Sequence, residues 1–298
     1  RDRPTTVNVT RRLLTSQLPV SVFASIQGLE LSVVDCGIAD ALPPHARLLS
    51  RKIAHGTRNA RIGSAMSLEQ AHAAIRAGME IADALPGNVV ACAGIGVGAN
   101  ESAALVMARL SGAPVRELTL AGTYETPDAL ARALVSMQGA LARHRDATDP
   151  VEVLAALGGF EMAAMVGLML VAGSKRHLII VDGMAACAAL LVASRIAPAV
   201  TDYCVFCRSH SHKGLDIALG LFHASALLEL GMESTDGTGA TLAWPLIRTA
   251  AALLTEVAEG EDPGPSRPAD ASDLAAEPLA GRAPPMPPLP TAIVSDDV

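Results

Sequence analysis

The feature that most constrains this chain is an alternation. Short apolar runs recur between longer Ala-rich stretches with helical periodicity. Residues 31–34 read as a strand running into Asp35-Cys36-Gly37. Residues 67–85 read as a helix, with Ser67 as N-cap and Gln70 at the capping-box position. A strand is expected at 88–93, a helix at 101–110, and a helix at 128–142 behind Pro127. A helix at 160–172 is followed by a strand at 177–181 ending at Asp182-Gly183, then a helix at 185–196. A strand at 203–207 and helices at 217–230 and 241–257 complete the pattern. Strands alternating with helices imply parallel βαβ units. The expected class is therefore α/β, a doubly wound, mainly parallel sheet with helices on both faces. In such folds ligands sit beyond the carboxyl ends of the strands.

Composition narrows the function classes. Half of the 298 residues are hydrophobic but only 2% are aromatic, so the core is aliphatic. With Lys+Arg 23 against Asp+Glu 30 and seven rings in all, nucleic acid is not an expected partner. The most apolar stretches are broken by Glu161, Asp182 and Arg195, leaving none of the ~20 residues a membrane span needs. A net acidic chain is also repelled by anionic lipid. The opening RDRPTTVNVT lacks Met and an apolar h-region; it is read as no signal peptide and as an incomplete start. The net charge of −7 is concentrated: nine of the 19 prolines and a net −6 fall in 259–298, leaving −1 for residues 1–258. The expected organisation is one α/β domain over 1–258 and a Pro-rich, acidic, disordered tail over 259–298. Five cysteines, odd in number and scattered, suggest reduced thiols in a cytoplasmic protein.

Four strand-end loops carry candidate chemistry. In Gly94-Ile95-Gly96-Val97-Gly98-Ala99-Asn100, glycines let backbone approach a phosphate at a helix start; a tight turn capped by Asn100 explains the loop equally. The loop lacks the GxGxxG and Walker patterns. In Ser234-Thr235-Asp236-Gly237-Thr238-Gly239-Ala240, the carboxylate is either a general base or an N-cap. Cys204-x-x-Cys207-x-x-His210-x-His212 offers four zinc ligands, but Val205-Phe206 is strand-like and residues three apart on a strand face opposite ways. Buried structural cysteine is the preferred reading, and no metal is assigned. Gly158-Gly159-Phe160-Glu161 opens a helix whose Met162, Met165 and Met169 read as a core stripe, with Glu161 satisfying the helix dipole. Asp182, at a strand end, is either functional or a cap for the next helix.

Together, GGFEMAAMVGLML, VDGMAACAALLVA with IAP following, SHSHKG and DGTGATLAWPLI resemble the nicotinate-nucleotide–dimethylbenzimidazole phosphoribosyltransferases. VVDCGI, HGTRN and GSAMSLEQA fit the family's earlier segments, so the resemblance covers roughly residues 5–257. It implies an α/β homodimer that transfers phosphoribose from nicotinate mononucleotide to a lower-ligand base, giving the α-ribazole phosphate of cobamides. No cofactor or metal is implied. A carboxylate takes a proton from one azole nitrogen while the other attacks the anomeric carbon. Asp236 sits where the family has a general-base glutamate, one methylene and about 1.5 Å shorter. Gly94, Gly96, Gly98, Asn100, Asp182, Gly183, His210, Lys213, Gly237, Thr238 and Gly239 are the implied substrate-binding positions.

The departures are specific. The family's GExGIGNTT loop reads CAGIGVGANES, so Ala93-Gly94 replaces the acid ahead of the glycines. The H-x-S-x-E-x-G loop aligns with Arg208, His210, His212 and Gly214, so its His, Ser and Glu are replaced. An Asp-His-Gly strand end and N-terminal helices precede the family's equivalent of this start. Two readings follow: an active transferase with altered base preference, or an impaired paralogue acting as a ligand-binding protein or as one half of a heterodimer.

Overall fold

The computed structural model describes residues 5–119, 124, 126–208, 213–229, 231 and 237–256. The chain divides into two compact units, Arg1–Ala251 and Ala252–Val298; the described part of the second is the last turn of one helix. The first unit begins with α1 (Thr6–Leu14), N-capped by Thr5, whose side chain accepts from the Asn8 N–H. It continues into α2 (Pro19–Ile26), where Pro19 takes the first helical position, its missing N–H costing nothing there. β1 (Val33–Asp35) and β2 (Leu48–Ser50) pair in parallel, Val33 opposite Leu48. Leu13, Leu14, Leu18, Val20 and Val33 form a small core between the two helices and this sheet.

The larger core is built on β3 (Val89–Cys92), β4 (Leu178–Asp182), β5 (Cys204–Arg208) and β6 (Ala226–Glu229). They form a parallel sheet in chain order, with Val89 opposite Leu178, Ile179 opposite Cys204 and Phe206 opposite Ala226. Helices join and flank the strands: α3 (Leu68–Ala84), α4 (Ala99–Ser111), α5 (Val115–Leu118), α6 (Pro127–Arg143), α7 (Pro150–Leu157), α8 (Phe160–Ser174), α9 (Met184–Ile196), α10 (Lys213–Leu221) and α11 (Thr238–Glu256). Period-two alternation decides the layers. Ile179, Val181 and Phe206 point into the core shared with α4, α8 and α9. Ile180 and Cys207 point the other way, onto Ala240 and Ala243 of α11. Helices thus cover both faces of a parallel sheet, as the alternation requires.

One crossing sets the position of α8. A methyl on Gly78 of α3 would overlap the Ala164 carbonyl, and one on Gly167 of α8 would overlap the Ile75 carbonyl. Two glycines therefore let the helix backbones approach without intervening side chains. α8 is apolar all round, with Met162, Met165 and Met169 buried as the core stripe expected of them. α3 carries the anticipated capping box: Ser67 Oγ accepts from the Gln70 N–H at 3.1 Å, and Gln70 Oε1 accepts from the Ser67 N–H at 2.9 Å.

The expected helix over 217–230 is corrected. α10 ends at Leu221, His223 adopts a φ of 51°, and residues 226–229 form the fourth strand of the sheet. An ALLE run suits either element by composition, and the left-handed turn at His223 decides it. α1, α2, β2, α5 and α7 lie where no element was assigned. The expected tail, 259–298, lies outside the described residues.

Gly167→Ala should destabilise the protein by about 1–3 kcal/mol, the usual penalty for overpacking. A lower urea midpoint at unchanged slope would show it.

Candidate functional site

Two strand ends, those of β3 and β4, meet the start of α11 at the carboxyl edge of the large sheet. β3 runs into 93–98, and α4 begins at Ala99 with Gly98, at φ 87°, in the cap position. Asn100, the cap in one of the two readings of this loop, therefore lies inside the first turn. The left-handed Gly98 turns the chain before Asn100 is reached. Glu101, in that turn, accepts a hydrogen bond at 2.8 Å from the Tyr124 hydroxyl. Burial, then this bond, pushes the Tyr124 hydroxyl well above its ordinary range.

Gly94 is buried, and the space beside its Cα is bounded by Ala185 Cβ, Met165 Cε and Glu161 Cγ. A methyl there would lie 2.5, 3.2 and 3.5 Å from them. The loop's next residues meet α1: Gly96 faces Thr6, and Thr6 Oγ1 accepts from the Val97 N–H at 3.1 Å.

β4 delivers Asp182, fully buried, to the same edge. Its Oδ2 accepts from the Gly237 N–H at 2.8 Å and from the Ala240 N–H at 3.2 Å. Asp182 thus satisfies backbone donors at the start of α11, not of the helix that follows it. α9 starts instead from Gly183, at φ 94°, with no side-chain cap. Of the two readings of Asp182, the alternative of a cap for the next helix is set aside: Gly183 takes the cap position of α9, while the Asp182 carboxylate reaches across to α11. Gly237, at φ 92°, is held so closely that a methyl on it would lie 3.1 Å from Ala93 Cβ and 3.5 Å from Val20 Cγ2. Thr238 and Gly239 form the first turn of α11, where Thr238 is fully buried.

Of the positions singled out in the sequence, Gly94, Asp182, Gly183 and Gly237 are thereby brought together, with Thr238 and Gly239 next to them. Gly96 and Gly98 lead away toward α1 and α4, and no atom would approach a methyl on Gly98 within 4 Å. Lys213 opens α10, with its Nζ 3.8 Å from Glu117 Oε2 on α5. Asp236, His210 and His212 lie outside the described residues. Cys204 packs against the large core and Cys207 against the α11 cluster, so the two thiols occupy opposite faces of the sheet. Among the described residues no three His, Cys, Asp or Glu are grouped as a metal site. Separately, an open groove of about 780 Å³ is lined by Arg58, Asn59, Ile62, Met66, Leu68 and Glu152, none of them at these strand ends.

Thr6, Val20 and Glu161 also border the loops; Thr6 lies in RDRPTTVNVTRR, the stretch the resemblance aligns with a segment lining the base pocket, whereas Val20 and Glu161 have no site role in the sequence reading. Glu161 lies in the first turn of α8, where the helix favours a carboxylate, yet burial dominates and pushes its carboxyl up. Thr6 and Val20 carry no local signal, since their partners lie far along the chain.

A parallel sheet with glycine-rich loops and buried acids at its carboxyl edge defines an α/β protein built to bind a small molecule there. Comparison with known proteins narrows the class. A phosphoribosyltransferase family model matches residues 2–264. The nicotinate-nucleotide–dimethylbenzimidazole phosphoribosyltransferase of Variovorax paradoxus is 41% identical over 248 residues, 83% of this chain and 71% of that protein. The Cupriavidus taiwanensis protein of the same name is 41% identical over 256 residues, 85% and 74%. The crystal structure of the Thermus thermophilus protein of that name is similar with a TM-score of 0.78 at 32% identity, covering 85% of this chain and 77% of that one. The chain belongs to the nicotinate-nucleotide–dimethylbenzimidazole phosphoribosyltransferase family.

Two outcomes are expected. Asp182→Ala should cost about 2 kcal/mol or more by denaturant titration, because charge-assisted bonds to two backbone donors are lost. Burial also pushes the thiols of Cys36, Cys92, Cys204 and Cys207 up to about 12 from 9.0. The unfolded chain then releases these protons first, so stability should fall as pH rises above about 9 and keep falling toward 12. Melting temperatures across that range would test this.

Proposed function

We propose that this protein transfers phosphoribose from nicotinate mononucleotide to an aromatic nitrogen base, forming the α-riboside used in cobamide lower ligands. The observation that carries the reading is the tie between Asp182 and Gly237. It fixes the turn entering α11 against the Gly94 loop, and Asp236 is covalently next to Gly237. In this reading Asp236 removes a proton from one azole nitrogen as the other attacks the anomeric carbon. The C1′–N bond breaks with its electron pair returning to the pyridine nitrogen, and nicotinate leaves with inversion.

The backbone at Gly94, Gly183, Gly237, Thr238 and Gly239 would cradle the nucleotide, since residues without side chains leave N–H groups open to an anion. Gly96, Gly98 and Asn100 would extend that cradle along the loop. Lys213 and His210 would supply cationic or hydrogen-bonding groups from the α10 side. With Phe206 and Phe222 stacked on each other at 5.3 Å, the acceptor would be held mainly by Met165, aliphatic side chains and backbone. Such a wall tolerates several flat bases. The proposal extends to a cytoplasmic dimer, formed with itself or with a homologue; all five cysteines are free, as in a reducing compartment. It also keeps 1–258 as the catalytic domain with 259–298 as an appended tail.

Purified protein given nicotinate mononucleotide and a panel of azoles and phenols should release nicotinate with at least one acceptor. Asp236→Asn should lower kcat by about 10²–10⁴-fold. Asp236→Glu, restoring the methylene, should retain or raise it. No release with any acceptor would refute the assignment.

A further inference from the structure

The open groove of about 780 Å³ between residues 58–64, the start of α3 and α7 has no part in the transfer reading. Its walls are fixed by main-chain contacts. The Met66 and Ala65 N–H groups donate to the Ala155 and Ala156 carbonyls at 2.9 and 3.0 Å, lacing the entry to α3 onto the last turn of α7. Asn59 closes the turn that follows it. Its carbonyl accepts from the Ile62 and Gly63 N–H groups at 2.9 and 3.1 Å, and its Oδ1 accepts from the Arg61 N–H at 2.9 Å. His144, just past α6, donates from Nε2 to the Ala60 carbonyl at 2.8 Å. No atom would lie within 4 Å of a methyl on Gly63, so the groove stands open at that point. The cleft is thus formed by the fold itself.

Several polar side chains in its lining have unused capacity. Arg58, Ser64 and Glu152 make no side-chain hydrogen bond or ion pair among the described residues. Asn59 spends its side-chain oxygen on Arg61 and keeps two amide N–H donors. Arg58, Asn59 and Ser64 therefore offer donors, while the ionised Glu152 can only accept. The large apolar side chains of the lining are Met66, completely buried, and Ile62 and Leu68, 74% and 45% exposed. An isoleucine that open to water gains from any ligand that covers it.

These groups define a ligand in three parts. A guanidinium fork beside amide and hydroxyl donors suits a phosphate. A lone anion, however, leaves the aliphatic wall and Glu152 unused, and the volume lies in the roughly 300–1,000 Å³ range of small-molecule sites. Glu152 repels a second phosphate but accepts from a pair of sugar hydroxyls, the use to which acids are put beside a ribose. Met66, Ile62 and Leu68 give a flat ring an apolar seat, with the Met sulfur available to its edge. Phosphate and sugar occupy the polar side chains, so the identity of the ring is not read.

We propose that this groove is a second nucleotide site, separate from the strand ends, that takes a nucleoside monophosphate. The phosphate lies on Arg58, Asn59 and Ser64, the ribose diol on Glu152, and the base on Met66, Ile62 and Leu68. The assignment goes beyond the transfer reading and does not depend on it.

The test is calorimetry on the full chain with AMP as the probe. AMP should bind one to one, about tenfold or more weaker in Arg58→Ala, because a charge-assisted bond is lost. Glu152→Gln should weaken AMP about fivefold but leave 2′,3′-dideoxyadenosine 5′-monophosphate unchanged, since that probe has no diol. Both side chains are exposed, so each variant should keep the wild-type Tm. Three results would overturn the proposal: no binding of AMP, AMP binding that neither variant alters, or inorganic phosphate bound as tightly as AMP. The last would reduce the groove to a simple anion site. Absence of nicotinate release would refute the transfer reading and leave these binding results untouched.

Discussion

The close crossing of α3 and α8 is the constraint on which the rest of the large core depends. Gly78 and Gly167 remove the side chains that would otherwise hold the two backbones apart, so each helix meets the other's carbonyls directly. α8 is thereby set deep in the molecule, and its N-terminus, with Gly159 and Glu161, comes up beneath the Gly94 loop. An aliphatic, Ala- and Met-rich composition suits such packing, because small side chains permit short interaxial distances and Met fills the remaining gaps.

The carboxyl edge of the sheet is then closed by polar contacts rather than by apolar ones. Asp182 receives two backbone donors from the start of α11, Thr6 receives one from the 93–98 loop, and Asp35 receives two from its own turn while holding Lys52. Each bond fixes backbone, and the glycines beside them, Gly37, Gly94 and Gly237, pack closely on Phe160, Ala185 and Ala93. The strand-end loops thus take their shape from main-chain contacts, which is how a loop can keep its form while the side chains around it change. The departure from the family expected at Ala93-Gly94 falls on such a scaffold.

What was legible in the sequence was local. Ser67 and Gln70 announce their capping box three residues apart, and the Met162–Met165–Met169 stripe follows from helical spacing alone. Asp182-Gly183 is recognisable as a strand end because an apolar run stops there. What was not legible depends on distance. The backbone donor that meets Asp182 lies 55 residues further along the chain, so a cap for its neighbour stayed open as the alternative to a functional carboxylate. Residues 226–229 are too short for periodicity to separate strand from helix. Gly98 and Asn100 compete for the same cap, and only the backbone conformation ranks them. Glu161 satisfies the rule for a first-turn acid so well that its burial against Gly94 and Cys36 gave no sign. The family resemblance supplied roles for Asp236 and its neighbours that spacing alone left open.

The tie between Asp182 and α11 also bears on the order in which the molecule matures. Both sheets and the helices of the main core are encoded before residue 230, so a chain emerging N-terminus first can collapse around them early. The strand-end cluster cannot close until Gly237 and Ala240 have been synthesised and have docked on β4. A chain that stops short of Gly237 lacks both the donors that Asp182 accepts and the cover of Ala240 and Ala243 over Ile180 and Cys207, so the second face of the sheet and its carboxyl edge are completed together, last of all.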